Sequence, residues 1–242
     1  MHELPRMTTL LGLGLFAAMI SIPLLAPSAK AEWYVAGQFG VTLPSLGGGL
    51  SNIDVGSPFI AGTTHSDLAL KNSILYGGKI GYYFRSARWF GLETEVFNTN
   101  PHIKEQTHTF NNPSGVPVAS ATLQGAHLGV TMWSPLNVML RYPKSRLQPY
   151  IGFGPGIFFA RIKGEGLGAE NPTSTSSNGT IGLNAKAGVE YYMTRHFSAF
   201  VEWKYNYARF SFSENPDLFP FPYAFKATYS VHNAAFGLAY HF

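Results

Sequence analysis

The sequence contains no cysteine, which removes disulfide staples, thiolate metal sites and a cysteine nucleophile from consideration. It is also short of charge. Asp, Glu, Lys and Arg make up 12% of its 242 residues, about half of the roughly 25% found in an ordinary soluble domain, so a wholly water-facing surface is hard to build from it. Long apolar runs are missing except for one, residues 10–25, LLGLGLFAAMISIPLL. It follows Arg6, precedes APSAKA, and is shorter than the ~20 apolar residues a spanning helix needs. Ala29 and Ala31 stand at the small-residue positions of a cleavage site, so residues 1–31 are expected to be a secretory signal peptide and 32–242 the mature domain. Without Glu3, Arg6 and Lys30, fifteen basic and twelve acidic residues remain, too even a balance to argue for nucleic acid.

What the sequence has instead is alternation. Period-2 patterns run over residues 32–41, 73–84, 89–98, 123–142, 148–163, 180–193, 197–210 and 227–242, eight candidate strands. The connections 42–72, 99–122, 164–179 and 211–226 are long, whereas 85–88, 143–147 and 194–196 are short. Tight periplasmic turns, longer external loops and an even strand count are the rhythm of an outer-membrane barrel. The expected fold class is all-β, an eight-stranded antiparallel up-and-down transmembrane β-barrel with four long external loops.

Which face is apolar separates a membrane barrel from a soluble one. In the sixth segment Ile181, Leu183, Ala185, Ala187, Val189, Tyr191 and Met193 alternate with Gly182, Asn184, Lys186, Gly188, Glu190 and Tyr192. In the fourth, the even positions from Leu128 to Tyr142 read as one almost wholly apolar face. The opposite faces collect Lys79, Arg141, Lys186 and Lys204 with Glu93, Glu95, Glu190 and Glu202, four charges of each sign. Such a set is prohibitive in an apolar core. Inside an eight-stranded barrel, whose interior is just filled by side chains, the charges pair, and they are expected to form a salt-bridged network that closes or nearly closes the lumen.

Trp33, Tyr82, Phe84, Trp89, Tyr142, Tyr191 and Phe197 flank the short turns and are expected to form a periplasmic aromatic girdle, with Tyr34, Tyr83, Tyr150 and Tyr192 in the same belt. The basic residues of those turns, Arg85, Arg88, Lys144, Arg146, Arg195 and His196, suit either wet turns or lipid headgroups. Pro135 and Pro155 each remove a ladder hydrogen bond, which predicts a bulge or a strand portion above the membrane. Gly152, Gly154 and Gly156 share one face, leaving room for a neighbouring aromatic to lie flat.

The fragments PYIGFGPGIFF from Pro149, AKAGVEYYMTRHFSAFVEWKY from Ala185 and the terminal FGLAYHF together resemble the eight-stranded OmpA-like, opacity-type outer-membrane barrels. The resemblance implies a porin-like barrel in a Gram-negative outer membrane, surrounded by outer-membrane lipid and lipopolysaccharide. It also implies insertion by the barrel-assembly machinery, which in such proteins reads a terminal aromatic and alternate apolar residues, here Phe236, Leu238, Tyr240 and Phe242.

Candidate chemistry is sparse. His196 and Ser198 have the His-x-Ser spacing of outer-membrane lipid A deacylases, but those continue with Asn where Ala199 stands, and the position is a predicted periplasmic turn. His102, Glu105 and His108 could ligate a metal, although on an extended strand Glu105 points away from both histidines. Asn178 begins an NGT sequon, and GGG at 47–49 and STSSNG at 174–179 read as flexible loop. No catalytic residue, cofactor or metal is therefore expected. The reading is a non-enzymatic barrel acting through its external loops in surface interaction or envelope integrity. The alternative is a narrow OmpW-like channel for small or hydrophobic solutes, and behind it an outer-membrane lipid hydrolase.

Overall fold

The structure, a computed structural model, describes residues 32–46, 48–55, 62–123, 125–163, 175–213 and 224–242. The expected signal peptide lies outside the described residues, as do 164–174 and 214–223 of the long connections. The strands are β1 (Glu32–Leu43), β2 (Gly49–Val55), β3 (Thr64–His65), β4 (Ser73–Tyr83), β5 (Phe90–Thr99) and β6 (Gln106–Asn111), then β7 (Pro117–Leu123), β8 (Leu128–Arg141), β9 (Leu147–Lys163), β10 (Thr175–Tyr192), β11 (Phe197–Phe212) and β12 (Phe225–His241). Among the described residues the only helical turn is a 3-10 turn at Pro44–Leu46.

Eight strands form a closed antiparallel barrel in the order β1-β4-β5-β8-β9-β10-β11-β12, and β12 pairs back onto β1 from Tyr34↔His241 to Leu43↔His232. Closure leaves no barrel edge open. Along β11 the outward positions are Phe197, Val201, Trp203 and Tyr205, and the buried ones Ser198, Phe200, Glu202, Lys204 and Asn206. The barrel is therefore apolar outside and polar inside over this half. On β10 the outward apolar run from Tyr191 to Ile181, at about 3.3 Å per residue and a tilt of roughly 40°, rises roughly 25 Å, the height of a lipid-facing band.

Three expectations need correction. The fourth segment does not present one face throughout. Leu128, Val130, Met132 and Ser134 point inward, but so do Asn137, Met139 and Arg141. A register shift between Trp133 and Val138 inserts an extra residue and flips the phase of the alternation. Both prolines sit at this place: Pro135 is in the bulge, and Pro155 faces it from β9 across the gap. The Ser134 hydroxyl donates to the Pro155 carbonyl at 2.8 Å, so a side chain fills the gap where the ladder lacks an amide.

The first two long connections are not plain loops. They contain β2 and β3, and the β6–β7 hairpin, which extend the sheet from the far end of β12 in the order β12-β2-β3-β6-β7. Beyond the reach of β1, β12 pairs with β2 from Ser230↔Gly49 to Phe225↔Val55. The glycine cluster permits this close approach, since a Cβ on Gly48 would lie 2.3 Å from the Ser230 carbonyl oxygen. Residues 175–179, expected in a loop, belong to β10 and pair with β9.

Candidate functional site

The lumen is stacked in layers, and its central layer is a closed ring of alternating charge. Lys79 of β4 lies 2.7 Å from Glu202 and 3.7 Å from Glu93. Lys186 of β10 contacts Glu93 and lies 2.7 Å from Glu95. Lys204 of β11 contacts Glu95 and lies 2.9 Å from Glu202. Each lysine thus touches two glutamates and each glutamate two lysines, and all six side chains are at most 3% exposed. A single-sided pair would leave a buried charge half compensated, which burial penalises; in the ring every charge has two opposite partners, and neutral neighbours add hydrogen bonds. Tyr34 donates to Glu93 at 2.5 Å, Tyr150 to Glu202 at 2.6 Å, and Gln38 bridges Glu95 and Lys204 at 2.8 and 2.6 Å.

The other two charges of the predicted network, Arg141 and Glu190, are buried in the lumen but outside this ring, at the short-turn mouth. Arg141 makes a bidentate pair with Glu32 at 2.7 and 2.5 Å, lies 2.9 Å from the Tyr192 hydroxyl and stacks 3.6 Å from the Tyr83 ring. Glu190 accepts from Ser198 at 2.5 Å and faces His241 Nε2 at 3.0 Å. The sequence reasoning missed Glu32, Tyr192, Ser198 and His241 in this cluster, although all four stand at lumen positions of their strands.

Between ring and mouth lies an aromatic layer of Tyr34, Tyr83, Tyr150 and Phe200 with Met139. Tyr34, Tyr83 and Tyr150 were expected in the outer girdle, but parity decides orientation and places them inside, each buried. Their rings and that of Phe200 lie over glycines of adjacent strands: a Cβ on Gly81, Gly91, Gly188 or Gly237 would come within 2.7 Å of one of them. At Gly152 the space is taken by Met139 and the Lys186 stem instead of an aromatic. Trp33, Trp89, Tyr142, Tyr191 and Phe197 face outward at the short-turn end, exposed, with Tyr82 and Phe84 partly covered. Of the expected terminal pattern, Phe236, Leu238 and Tyr240 face outward on β12, and Phe242, the residue after it, is exposed too.

On the long-loop side of the ring a neutral polar layer follows. Asn206 donates to Asn184 at 2.9 Å, Asn233 to Asn206 at 2.7 Å, and Thr42 to Asn233 at 2.7 Å. Above it the interior turns apolar: Leu75, Phe97, Leu128, Met132, Phe158, Phe210 and Tyr229 pack with Leu50, Leu68, Leu70 and Ile103 from the long connections.

The other candidates are not assembled into reactive sites. His196 is exposed in its turn and stacks on Tyr240, while Ser198 is fully buried and its hydroxyl meets Glu190 and His241. Among the described residues no group of three His, Asp or Glu side chains is placed to hold a metal; His102 packs instead on the His127 ring at 4.3 Å. Asn178 is a strand residue whose amide donates to the Ser211 carbonyl at 2.6 Å and accepts from the Ser211 amide at 3.3 Å.

Comparison with curated proteins by sequence finds no match. Solved structures that are similar include the outer membrane protein OprG from Pseudomonas aeruginosa, at 16% identity over 88% of this chain and 96% of that chain with a TM-score of 0.56. Neisserial surface protein A shares 15% identity over 87% and 95% with a TM-score of 0.44. The outer membrane protease OmpT from Escherichia coli shares 12% over 90% and 99%, also at 0.44. At these identities the likeness concerns the fold, which does not carry function with it. A family model described as outer membrane protein beta-barrel domain matches residues 13–242. With the closed eight-stranded barrel, this makes the chain a member of that family and a protein of the bacterial outer membrane.

Proposed function

We propose that this barrel is non-enzymatic and non-conducting, and that it works at the cell surface through the sheet β2-β3-β6-β7 and its neighbouring loops, in surface interaction or envelope integrity. The observation that carries this reading is the Lys79–Glu93–Lys186–Glu95–Lys204–Glu202 ring, whose members are bound to one another across the whole lumen. An ion passing it must break pairs whose side chains are at most 3% exposed, and so strand buried charges. The apolar layer above, where side chains of the long connections enter the barrel mouth, is a second obstacle to ions and ties the external sheet to the wall. Ser198 supports the non-enzymatic part, since a nucleophile must reach substrate and this hydroxyl is buried. Planar-bilayer recording tests the proposal: pure protein gives no sustained conductance, and a large steady current would overturn it.

The apolar upper interior favours a second reading, passage of small hydrophobic solutes through the external mouth. It requires that cells producing the protein take up such solutes faster and lose that gain when residues 214–223 are deleted.

A further inference from the structure

The lumen accounts for the buried charges, but not for two exposed ones that stand on the lipid side of the wall. Arg161 and Lys163 occupy outward positions at the long-loop end of β9. They border a groove of about 850 Å³ that also takes in Asn100, His102, His127 and Ser177. The register aligns Gly129 of β8, Arg161 of β9 and Ser177 of β10 in one row, with Thr131, Phe159 and Gly179 in the row beneath. Below that row the outward surface becomes Trp133, Ile157 and Ile181, the top of the apolar band. The groove thus opens sideways at the level where acyl chains give way to headgroups.

Its chemistry is one-sided. Among the described residues no Asp or Glu lines it and Arg161 and Lys163 make no ion pair. The two cations stand on alternate residues of one strand, about 7 Å apart along it, with amide and hydroxyl groups beside them. A guanidinium fork and an ammonium at this spacing suit phosphate oxygens. His102 adds a hydrogen-bonding group and little charge, because desolvation and the neighbouring His127, Lys71 and Lys163 lower its pKa. The glycines keep the furrow open: a Cβ on Gly129 would sit 3.0 Å from the Asn100 side-chain oxygen, and one on Gly179 3.4 Å from the Phe159 ring.

We propose that this groove seats the phosphorylated headgroup of an outer-leaflet glycolipid, with phosphate held by Arg161 and Lys163 and acyl chains descending over Phe159, Trp133 and Ile157. A free anion would find the cations but would gain nothing from the apolar shelf beneath them. The volume also exceeds what one phosphate fills and leaves room for sugar hydroxyls against Asn100 and Ser177.

The test is equilibrium binding of lipid A, of its dephosphorylated form and of inorganic phosphate to the folded full-length barrel in detergent. Lipid A is expected to bind about tenfold more weakly to the double variant Arg161→Gln, Lys163→Gln, the order of two lost charge-assisted contacts. Dephosphorylation should cause a similar loss, and Arg161→Lys should retain most of the affinity. Inorganic phosphate should neither bind nor compete at matching concentration. Heat-modifiable gel mobility shows whether each variant is folded, which outward-facing substitutions leave intact. Equal binding by the double variant, equal binding of the dephosphorylated lipid, or competition by inorganic phosphate would each overturn the assignment. The closed-lumen reading is unaffected by any of these, since bilayer conductance reads it separately.

Discussion

The same eight strands enclose two different interiors. Toward the short turns the lumen is ordered by directional bonds: the six-charge ring, the tyrosines that donate into it, and the Glu32–Arg141 clamp at the mouth. Toward the long connections it is ordered by volume, with Phe158, Phe210, Leu128 and Met132 packed against loop residues such as Leu70. The lower half is complete within the barrel wall. The upper half is not, because part of its core comes from chain that leaves the barrel. One region therefore fixes the strands relative to each other, and the other fixes the external sheet to the strands.

Breaking the ring is the largest perturbation. Lys204 stands between Glu95 and Glu202, so Lys204→Met leaves two buried carboxylates facing each other. The expected loss is about 3 to 5 kcal/mol, the cost of stranding a buried charge, read as a lower urea midpoint in lipid vesicles. The same variant admits water to the narrowest layer, so bilayer recordings should show leak currents absent from the unmodified protein. Removing Glu95 together with Lys204 restores neutrality and should cost less than the two single changes added, a coupling that a double-mutant cycle measures.

Truncating the upper half should destabilise without leaking. Leu128 is fully buried in the apolar cluster, and Leu128→Ala should cost about 3 kcal/mol through lost contacts and a residual cavity. A cavity lined by aliphatic and aromatic groups stays dry, so conductance should not change. A leak equal to that of Lys204→Met would mean the upper layer, not the ring, is the seal.

These differences explain what could be read from the sequence. Closure, strand count and the inward charges followed from alternation and connection lengths, because a period of two is a geometric property of an extended chain. The apolar upper lumen did not follow, since the bulge beside Pro135 shifts the phase of β8 and the even-numbered Leu128, Val130 and Met132 then point inward while Val138 and Leu140 point outward. Proline signalled a bulge, but its effect on facing depends on a one-residue insertion that no local pattern encodes. Tyr34 and Tyr150 stand beside turns as the girdle residues do, but their strand parity turns them into the lumen, so nearness to a turn does not decide facing. The pairing partners inside the ring are long-range: Lys79 meets Glu202 only because the barrel closes.

At the mouth the effect should be smaller. Glu32 is 26% exposed in its side chain, so water screens and partly replaces its pairing with Arg141. Arg141 is buried but can still donate to a glutamine side-chain oxygen, so Glu32→Gln should cost about 2 kcal/mol, in the range of a hydrogen bond to a charged group, again by urea midpoint. A loss as large as that of Lys204→Met would show that the mouth cluster shares the energetics of the ring.

The smallest expected effect on the folded state is at Phe242. Its ring is 56% exposed, against Tyr240 at 5.0 Å, and its amide donates to the Trp33 carbonyl at 2.9 Å. Deleting it removes one ladder hydrogen bond worth about 1 kcal/mol and little packing, so a barrel refolded in vesicles should keep nearly its original urea midpoint. We propose nonetheless that the alternating Phe236, Leu238, Tyr240 and Phe242 are read during insertion by the assembly machinery, in which case cells should accumulate several-fold less folded barrel without Phe242. The two measurements separate recognition from stability: if refolding in vesicles falls in step with the cellular yield, the terminal ring acts through folded contacts and the recognition proposal fails.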